Sequence, residues 1–263
     1  MIRRTRLEDA VHGSQGRVAV VQGASRGIGL ALAAALLRST SVSRVVATAR
    51  DPEAPALLAL ERDHGDVLLR VPVDVTDEPS IERAAARVAE YESRIHLLIN
   101  CAGLLHAPDG LQPEKALEQI DPDGLRRAFE VNAFGPLLVA KHFFPLLRHD
   151  ERSVLASLSA RVGSIGDDRA GGWYGYRASK AAQNMFTKNL SIELSRRAPH
   201  CICVALHPGT VETELSRPFR SRVPAKKLFS TERAAAQLLG VIDKLESDDN
   251  GRFLAWDGSE IPW

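Results

Sequence analysis

The sequence contains few cysteines and no metal-ligand pattern. Three of its 263 residues are cysteine, and all lie inside apolar segments, Cys101 in LLINCAG and Cys201 and Cys203 in CICVALH. An odd number of cysteines without C-x-x-C spacing argues against a disulfide framework and against a zinc site. The histidines share no ligand spacing either. We therefore expect buried free thiols and no bound metal.

The sequence also lacks an excess of charge and a long apolar run. Its 34 Lys and Arg residues against 33 Asp and Glu residues give a net charge of +1, which does not favour nucleic acid as a partner. No segment reaches the roughly 18 apolar residues that cross a bilayer, and the first residues hold no apolar signal-peptide core. We expect a cytoplasmic protein that binds neither nucleic acid nor membrane.

Short apolar segments alternate with longer helical patterns along most of the chain. Residues 1–16 are polar and aperiodic, and we expect a loose extension there. Segments that are apolar throughout, rather than alternating, are typical of strands covered on both faces. They cover residues 17–22, 44–48, 67–73, 96–100, 153–158, 201–207 and 251–256. The alternation predicts an α/β fold of the doubly wound Rossmann type, a single domain over residues 17–263. Its parallel sheet has about seven strands, with helices on both faces.

The first strand runs directly into a glycine-rich loop, GASRGIG (23–29), and then into a helix rich in alanine and leucine. Glycines at such a junction allow a tight turn and a close approach of the backbone to a ligand. The free N–H groups at the start of the helix attract a phosphate. The loop therefore predicts a pyrophosphate site, although its G-x-x-x-G-x-G spacing differs from the G-x-G-x-x-G of other dinucleotide folds.

Four further motifs follow this loop in a fixed order. They are NCAG (100–103), VNAFGP around Asn132, YRASK (176–180) and HPGTVET (207–213). With these motifs the chain resembles the short-chain dehydrogenase/reductase family over roughly residues 17–215, and within it the Sniffer and C-factor-like carbonyl-reductase group. The resemblance implies reduction of an aldehyde or ketone to an alcohol. It also implies a homodimer or homotetramer. In the family, residues at about 214–230 form a substrate lid, which explains the basic segment there better than a nucleic-acid site does.

The resemblance further implies which residues hold a nicotinamide dinucleotide. They are Gly23, Ser25, Arg26, Gly27, Ile28 and Gly29 at the phosphates, Asp74 and Val75 at the adenine, Asn100, Ala102 and Gly103 along the middle, Lys180 at the nicotinamide ribose, and Pro208, Gly209, Val211 and Thr213 at the nicotinamide amide. Tyr176 is also implied to contact the cofactor.

The end of the second strand bears on the choice of cofactor. Proteins selective for NAD usually carry a carboxylate there for the ribose 2′-hydroxyl. In VVATARD this place is taken by Ala49, and Arg50 follows. An arginine can hold a 2′-phosphate bidentately, and Arg26 adds a second cation. NADP(H) is therefore preferred and NAD(H) stays possible, since the neighbouring Asp51 could neutralise Arg50.

Two tyrosines precede the lysine of YRASK. A carbonyl that accepts a hydride needs a proton donor, and a nearby cation lets a tyrosine act as one by stabilising its phenolate. Tyr176 and Lys180 are i, i+4 and share a helix face, whereas Tyr174 points elsewhere. We predict Tyr176 as the general acid. The resemblance implies that Asn132 also belongs to the catalytic residues, because in the family this asparagine holds a water molecule that is linked to the lysine, here Lys180.

The family's active serine is missing from its usual place, where this chain has Ala160. Ser159 precedes it, but side chains alternate along a strand, so Ser159 should face away from the pocket. Ser164 lies closer to the family's usual spacing from Tyr176. We prefer Ser164 as the hydroxyl that binds the substrate oxygen and leave Ser159 open. If neither hydroxyl reaches the substrate, polarisation of its carbonyl group depends on Tyr176 alone and turnover is slow.

Two other functions remain open. The Ala160 substitution and the C-factor resemblance suggest a signalling or sensor protein that binds the dinucleotide and catalyses only incidentally. An NAD-dependent alcohol dehydrogenase is the other alternative.

Overall fold

A seven-stranded parallel sheet forms the centre of the protein. The computed structural model describes residues 16–263, so nearly all of the predicted N-terminal extension lies outside the described residues. The sheet contains β1 (Arg17–Gln22), β2 (Val42–Ala49), β3 (Leu68–Pro72), β4 (Leu97–Asn100), β5 (Ser153–Leu158), β6 (Cys201–His207) and β9 (Phe253–Ala255). Two short strands, β7 (Thr210–Val211) and β8 (Leu228–Phe229), pair with each other outside it. The predicted sheet is confirmed.

Helices occupy the connections between the strands. They are α1 (Gly27–Leu37), α2 (Pro55–His64), α3 (Glu78–Ala89), α4 (Pro122–Phe129), α5 (Gly135–Leu147), α6 (Tyr174–Arg197) and α7 (Thr231–Lys244). A π-helical turn, Glu130–Phe134, connects α4 directly to α5. Such turns often occur at functional sites, and this one carries Asn132.

Two hydrophobic cores cover the two faces of the sheet. Alternate side chains of β1 enter different cores, since Ala19 and Val21 pack with Leu32 of α1 while Val18 and Val20 pack on the opposite face. The first core is closed by α1, α2 and α7. The second is closed by α3, α5 and the end of α6. This two-sided burial explains why the strands are apolar throughout.

The strand order β3-β2-β1-β4-β5-β6-β9 reverses direction between β1 and β4. In doubly wound sheets the ligand binds at such a reversal, beyond the carboxyl ends of the strands. All adjacent pairs are parallel, so the loops after the central strands meet at one edge. The fold therefore brings the glycine loop and the loops that follow β4, β5 and β6 together there. None of the described helices is both long and apolar enough to cross a bilayer.

Candidate active site

The glycine loop leaves no space for side chains at two positions. A Cβ on Gly29 would lie 2.2 Å from the carbonyl oxygen of Gly23. A Cβ on Gly23, where φ is +82°, would lie 2.7 Å from the backbone nitrogen of Ala102. Helix α1 then begins at Gly27 with no side chain capping its first N–H groups. The uncapped N–H groups at the start of α1, which a ligand can approach closely past the glycines, can bind a phosphate.

A cleft of about 1540 Å³ opens above this loop. Ordinary small-molecule sites measure about 300–1,000 Å³, so the cleft has room for a dinucleotide and a small substrate together. Most of the predicted cofactor residues line it: Gly23, Ser25, Arg26, Gly27, Ile28, Gly29, Arg50, Asp74, Val75, Ala102, Gly103, Tyr176, Lys180, Pro208 and Thr213. The residues present therefore fit a nicotinamide dinucleotide.

Three predicted cofactor residues are not among the residues that line the cleft. The Asn100 amide is buried and donates to the Ser157 hydroxyl at 3.1 Å. Val211 is 4% exposed. Gly209 adopts a φ of +79°, and a Cβ there would lie 2.6 Å from the ring of Phe229. Contact of these three residues with the cofactor stays a prediction.

Two arginines line the cleft, Arg26 in the glycine loop and Arg50 directly after β2. Arg26 and Arg50 are exposed, and no ion pair within residues 16–263 includes either of them. Asp51 does not pair with Arg50; its carboxylate accepts the backbone N–H of Glu53 at 2.9 Å. The two guanidinium groups are therefore available to an anionic ligand.

Asp74 lies on the same wall and stays ionised. Burial would raise the pKa of its carboxyl group, but the backbone N–H and the hydroxyl of Thr76 donate to it at 2.9 and 2.7 Å. Together with the charge of Arg50, these hydrogen bonds bring the pKa of Asp74 below its usual value. The carboxylate can accept a hydrogen bond from a ligand.

Helix α6 places one tyrosine and one lysine on the cleft wall. Tyr176 and Lys180 both line it, whereas Tyr174 does not and is 41% exposed. Desolvation raises the pKa of Tyr176 to about 12. Lys180 is 3% exposed, and desolvation lowers its pKa to about 7. Its Nζ donates to the Leu158 carbonyl at 2.8 Å and to Gln183 Oε1 at 2.9 Å.

Asn132 ties α6 to the loop after β4 and does not line the cleft. Its side-chain oxygen accepts the backbone N–H of Leu104 at 2.7 Å, and its amide group donates to the Leu104 carbonyl at 2.8 Å and to the Ser179 hydroxyl at 3.0 Å. The π-helical turn directs this amide inward, where it is fully buried. The amide thus holds a wall of the cleft in place.

The structure does not bring Ser164 to the cleft, contrary to our preference. A 3-10 turn, Arg161–Gly163, follows β5, and the Ser164 hydroxyl then donates to the Pro262 carbonyl at 2.5 Å. Ser159 does line the cleft, but its hydroxyl donates to Asn184 Oδ1 at 2.6 Å. Neither hydroxyl points a free proton toward a substrate in this arrangement.

The segment predicted as a lid lies over the cleft. Leu215, Arg217, Pro218 and Arg220 are among the lining residues. The ring of Phe219 packs against Trp173 with 4.8 Å between centroids, and His106 Nε2 lies 3.0 Å from the Glu214 carbonyl. Arg217 and Arg220 pair with Glu214 and Glu212, so part of the basic character seen in the sequence is neutralised.

Residues 16–263 contain no group of three or more His, Cys, Asp or Glu side chains arranged for a metal ion. The three cysteines are free thiols. Gln183, which is not among the predicted site residues, has the side chain that accepts a hydrogen bond from Lys180. Its i, i+3 spacing from Lys180 is the sequence signal for this contact.

Comparison with known proteins identifies the relatives of this chain. The family model described as short chain dehydrogenase matches residues 17–224. The 1-hydroxy-2-glutathionyl-2-methyl-3-butene dehydrogenase of Rhodococcus sp. (strain AD45) is 36% identical over 73% of this chain and 78% of that protein. The structure of NADPH-bound carbonyl reductase from chicken fatty liver is similar with a TM-score of 0.82, at 30% identity over 95% of this chain and 100% of that chain. Carbonyl reductase Sniffer of D. melanogaster also has a TM-score of 0.82, at 25% identity over 96% and 100%. The resemblance indicated by the motifs is confirmed.

Proposed function

The chain belongs to the short-chain dehydrogenase family, and we propose that within it the protein is an NADPH-dependent reductase of aldehydes or ketones. The observation that carries this proposal is the placement of Tyr176 and the buried Lys180 on one wall of a cleft whose floor is the glycine loop. The bound cofactor would supply a hydride to the carbonyl carbon. The residues of the chain would bind and orient both ligands and supply the proton.

Tyr176 is suited to donate that proton. Since burial raises its pKa to about 12, its hydroxyl group stays protonated at neutral pH. Once the proton has moved to the substrate oxygen, a phenolate remains. The positive charge of Lys180, one helical turn away, stabilises that phenolate. Below its pKa of about 7, Lys180 does this without giving up its own proton.

NADPH is preferred to NADH because of the charges at the far end of the cleft. Arg26 and Arg50 offer two exposed guanidinium groups, and Ala49 stands where a carboxylate would repel a 2′-phosphate. The chicken carbonyl reductase, similar over its whole length, was solved with NADPH bound. Both observations support NADP(H), with NAD(H) as the weaker ligand.

The substrate carbonyl has few hydrogen-bond donors to polarise it. Ala160 replaces the family's serine, the Ser159 hydroxyl donates to Asn184, and the Ser164 hydroxyl donates to the Pro262 carbonyl. We propose that Tyr176 carries the polarisation, which implies slow turnover. Asn132 acts by holding the loop after β4.

We also propose a cytoplasmic homodimer or homotetramer. Phe134, Met185 and Ile192 are 46%, 60% and 51% exposed on the π-helical turn and α6. Exposed apolar side chains on neighbouring helices favour association with another copy. Free cysteines are typical of a reducing compartment. Light scattering on the purified protein tests the assembly: a monomer at all concentrations would contradict it.

The reductase proposal is tested by NADPH consumption with a panel of aldehydes and ketones. Tyr176→Phe should lower kcat by about 100-fold or more, the usual range for losing a general acid, while NADPH binding should weaken by no more than about tenfold, the loss of one hydrogen bond to the cofactor. Tyr174→Phe removes the same hydroxyl two residues earlier and serves as the matched control. It should have little effect, because Tyr174 does not line the cleft.

The same assay separates the alternatives. Tight NADPH binding with no consumption in the presence of any carbonyl would favour the signalling or sensor protein. Equal use of NADH and NADPH, with faster oxidation of alcohols than reduction of carbonyls, would favour the NAD-dependent alcohol dehydrogenase. Equal kcat values for wild type and Tyr176→Phe would remove Tyr176 from the proposed mechanism.

A further inference from the structure

Gln183 lies one helical turn after Lys180 and contacts its ammonium group. Lys180 Nζ donates to Gln183 Oε1 at 2.9 Å and to the Leu158 carbonyl at 2.8 Å. Residues at i and i+3 share a helix face, so α6 itself presents the amide to the ammonium. Gln183 is 2% exposed and Lys180 is 3% exposed. The contact is therefore shielded from bulk water.

A buried ammonium is costly unless it is paired or hydrogen-bonded. No ion pair within residues 16–263 includes Lys180. The titratable groups around it are the Tyr176 phenol, one turn earlier on α6, and the Cys101 thiol after β4, whose pKa burial raises so that it stays neutral. From the 3-10 turn after β5, Arg161 directs its guanidinium to Asp167 instead. Among the described residues, the cost of burying the ammonium is therefore offset by hydrogen bonds to two neutral oxygens.

The orientation of the Gln183 amide follows from this contact. Its Nε2 group has no hydrogen-bond partner among the described residues. Exchanging the oxygen and nitrogen would place a donor against the ammonium and lose the bond. An ammonium has three N–H groups. Two are directed to Gln183 and Leu158, and the third is left for the cleft.

We propose that Gln183 is a positioning residue for Lys180: its amide oxygen holds the ammonium on the wall of the cleft, and it stabilises the charged form of the lysine. This inference rests on the proposed reductase function. Desolvation already lowers the pKa of Lys180 to about 7. Loss of one of its two acceptors would lower that pKa further, and Lys180 would be neutral at the pH where its charge is needed.

Two substitutions of Gln183 should move the titration of Lys180 in opposite directions. Gln183→Leu keeps the size and removes the acceptor. A hydrogen bond to a charged group is strong enough that its loss should lower the titration midpoint by about one pH unit or more. Gln183→Glu places a carboxylate at the same point and should raise the midpoint. Gln237→Leu, the same change on α7, is the matched control and should leave it unchanged.

The midpoint is measured by nuclear magnetic resonance on protein labelled at the lysine Cε, with the Lys180 signal assigned by its loss in Lys180→Met. The pH profile of kcat/KM for carbonyl reduction provides the second readout. Its alkaline limb should move with the midpoint in each variant. A purely structural role for Gln183 would change the melting temperature without moving either readout.

The resonance titration needs no turnover, so it separates two failures. If wild type reduces no carbonyl, the proposed function fails, while the titration still tests the contact. A Lys180 midpoint in folded Gln183→Leu that equals the wild-type midpoint would overturn the inference. If Gln183→Leu does not fold, Gln183→Glu decides: a raised midpoint supports the positioning role, and an unchanged one refutes it.

Discussion

Replacing Arg50 by alanine should separate the two nicotinamide cofactors. Arg50 follows β2, lines the cleft and is exposed. Asp51 is bound to the backbone N–H of Glu53 and leaves the guanidinium unneutralised. If Arg50 binds a 2′-phosphate, Arg50→Ala should weaken NADPH binding. It should leave NADH binding nearly unchanged, since NADH has no such phosphate.

The magnitude follows from the exposure of Arg50. Hydrogen bonds to charged groups contribute about 1.5–3 kcal/mol, and solvent screening places an exposed arginine at the lower end of that range. A change of about 1.4 kcal/mol is tenfold in affinity. We therefore expect the Kd for NADPH to rise about tenfold.

The assay is a fluorescence titration with NADPH and with NADH at constant ionic strength. Arg62→Ala is the matched control, because Arg62 is also exposed, on α2, but does not line the cleft. Raising the salt concentration should reduce the preference of wild type for NADPH. An equal loss of affinity for both cofactors, or no loss for either, would refute the role of Arg50.

Three further outcomes are expected. Gly29→Ala should abolish NADPH binding and destabilise the fold by about 1–3 kcal/mol, since its Cβ would lie 2.2 Å from a backbone carbonyl oxygen. The control Gly240→Ala, at a position with open space around it, should change neither NADPH binding nor stability. Calorimetry and NADPH titration measure both quantities. Ser159→Ala and Ser164→Ala should each keep kcat within about threefold, because neither hydroxyl is expected to contact the substrate. Each substitution should lower the stability of the fold by only about 1 kcal/mol, the value of one hydrogen bond. A 100-fold loss of kcat in either variant would show that its hydroxyl reaches the substrate. Reduction measured as kcat/KM against pH should fall as pH rises through about 7, because Lys180 is charged below its pKa and neutral above it; a limb near the ordinary lysine value would contradict the desolvation of Lys180.

The sheet and the glycine loop were predictable because each depends on local sequence. Segments buried on both faces must be apolar throughout, and β1, β5 and β6 have the bounds that this pattern predicted. The close contact at Gly29 likewise requires glycine whatever lies elsewhere in the chain. The shared helix face of Tyr176 and Lys180 was also predictable, because it follows from their i, i+4 spacing alone.

The parts of the site that depend on distant segments were not predictable. Spacing along the chain favoured Ser164, but the 3-10 turn after β5 and the packing of the C-terminal residues take its hydroxyl to the Pro262 carbonyl. The apolar pattern around Asn132 continues through the π-helical turn and gives no sign of it. The contact of Gln183 with Lys180 had a spacing signal. The second acceptor of the ammonium, the Leu158 carbonyl, comes from the end of β5, and no spacing along the chain indicates it.

Deuterium transfer tests the proposed chemistry most directly. The protein is incubated with NADPH carrying deuterium at both C4 positions of the nicotinamide and with a panel of aldehydes and ketones, and the alcohols are analysed by mass spectrometry. Wild type and Tyr174→Phe should place one deuterium on the former carbonyl carbon, and Tyr176→Phe should form about 100-fold less product. Alcohol without deuterium, or equal product from Tyr176→Phe, would contradict hydride transfer assisted by Tyr176.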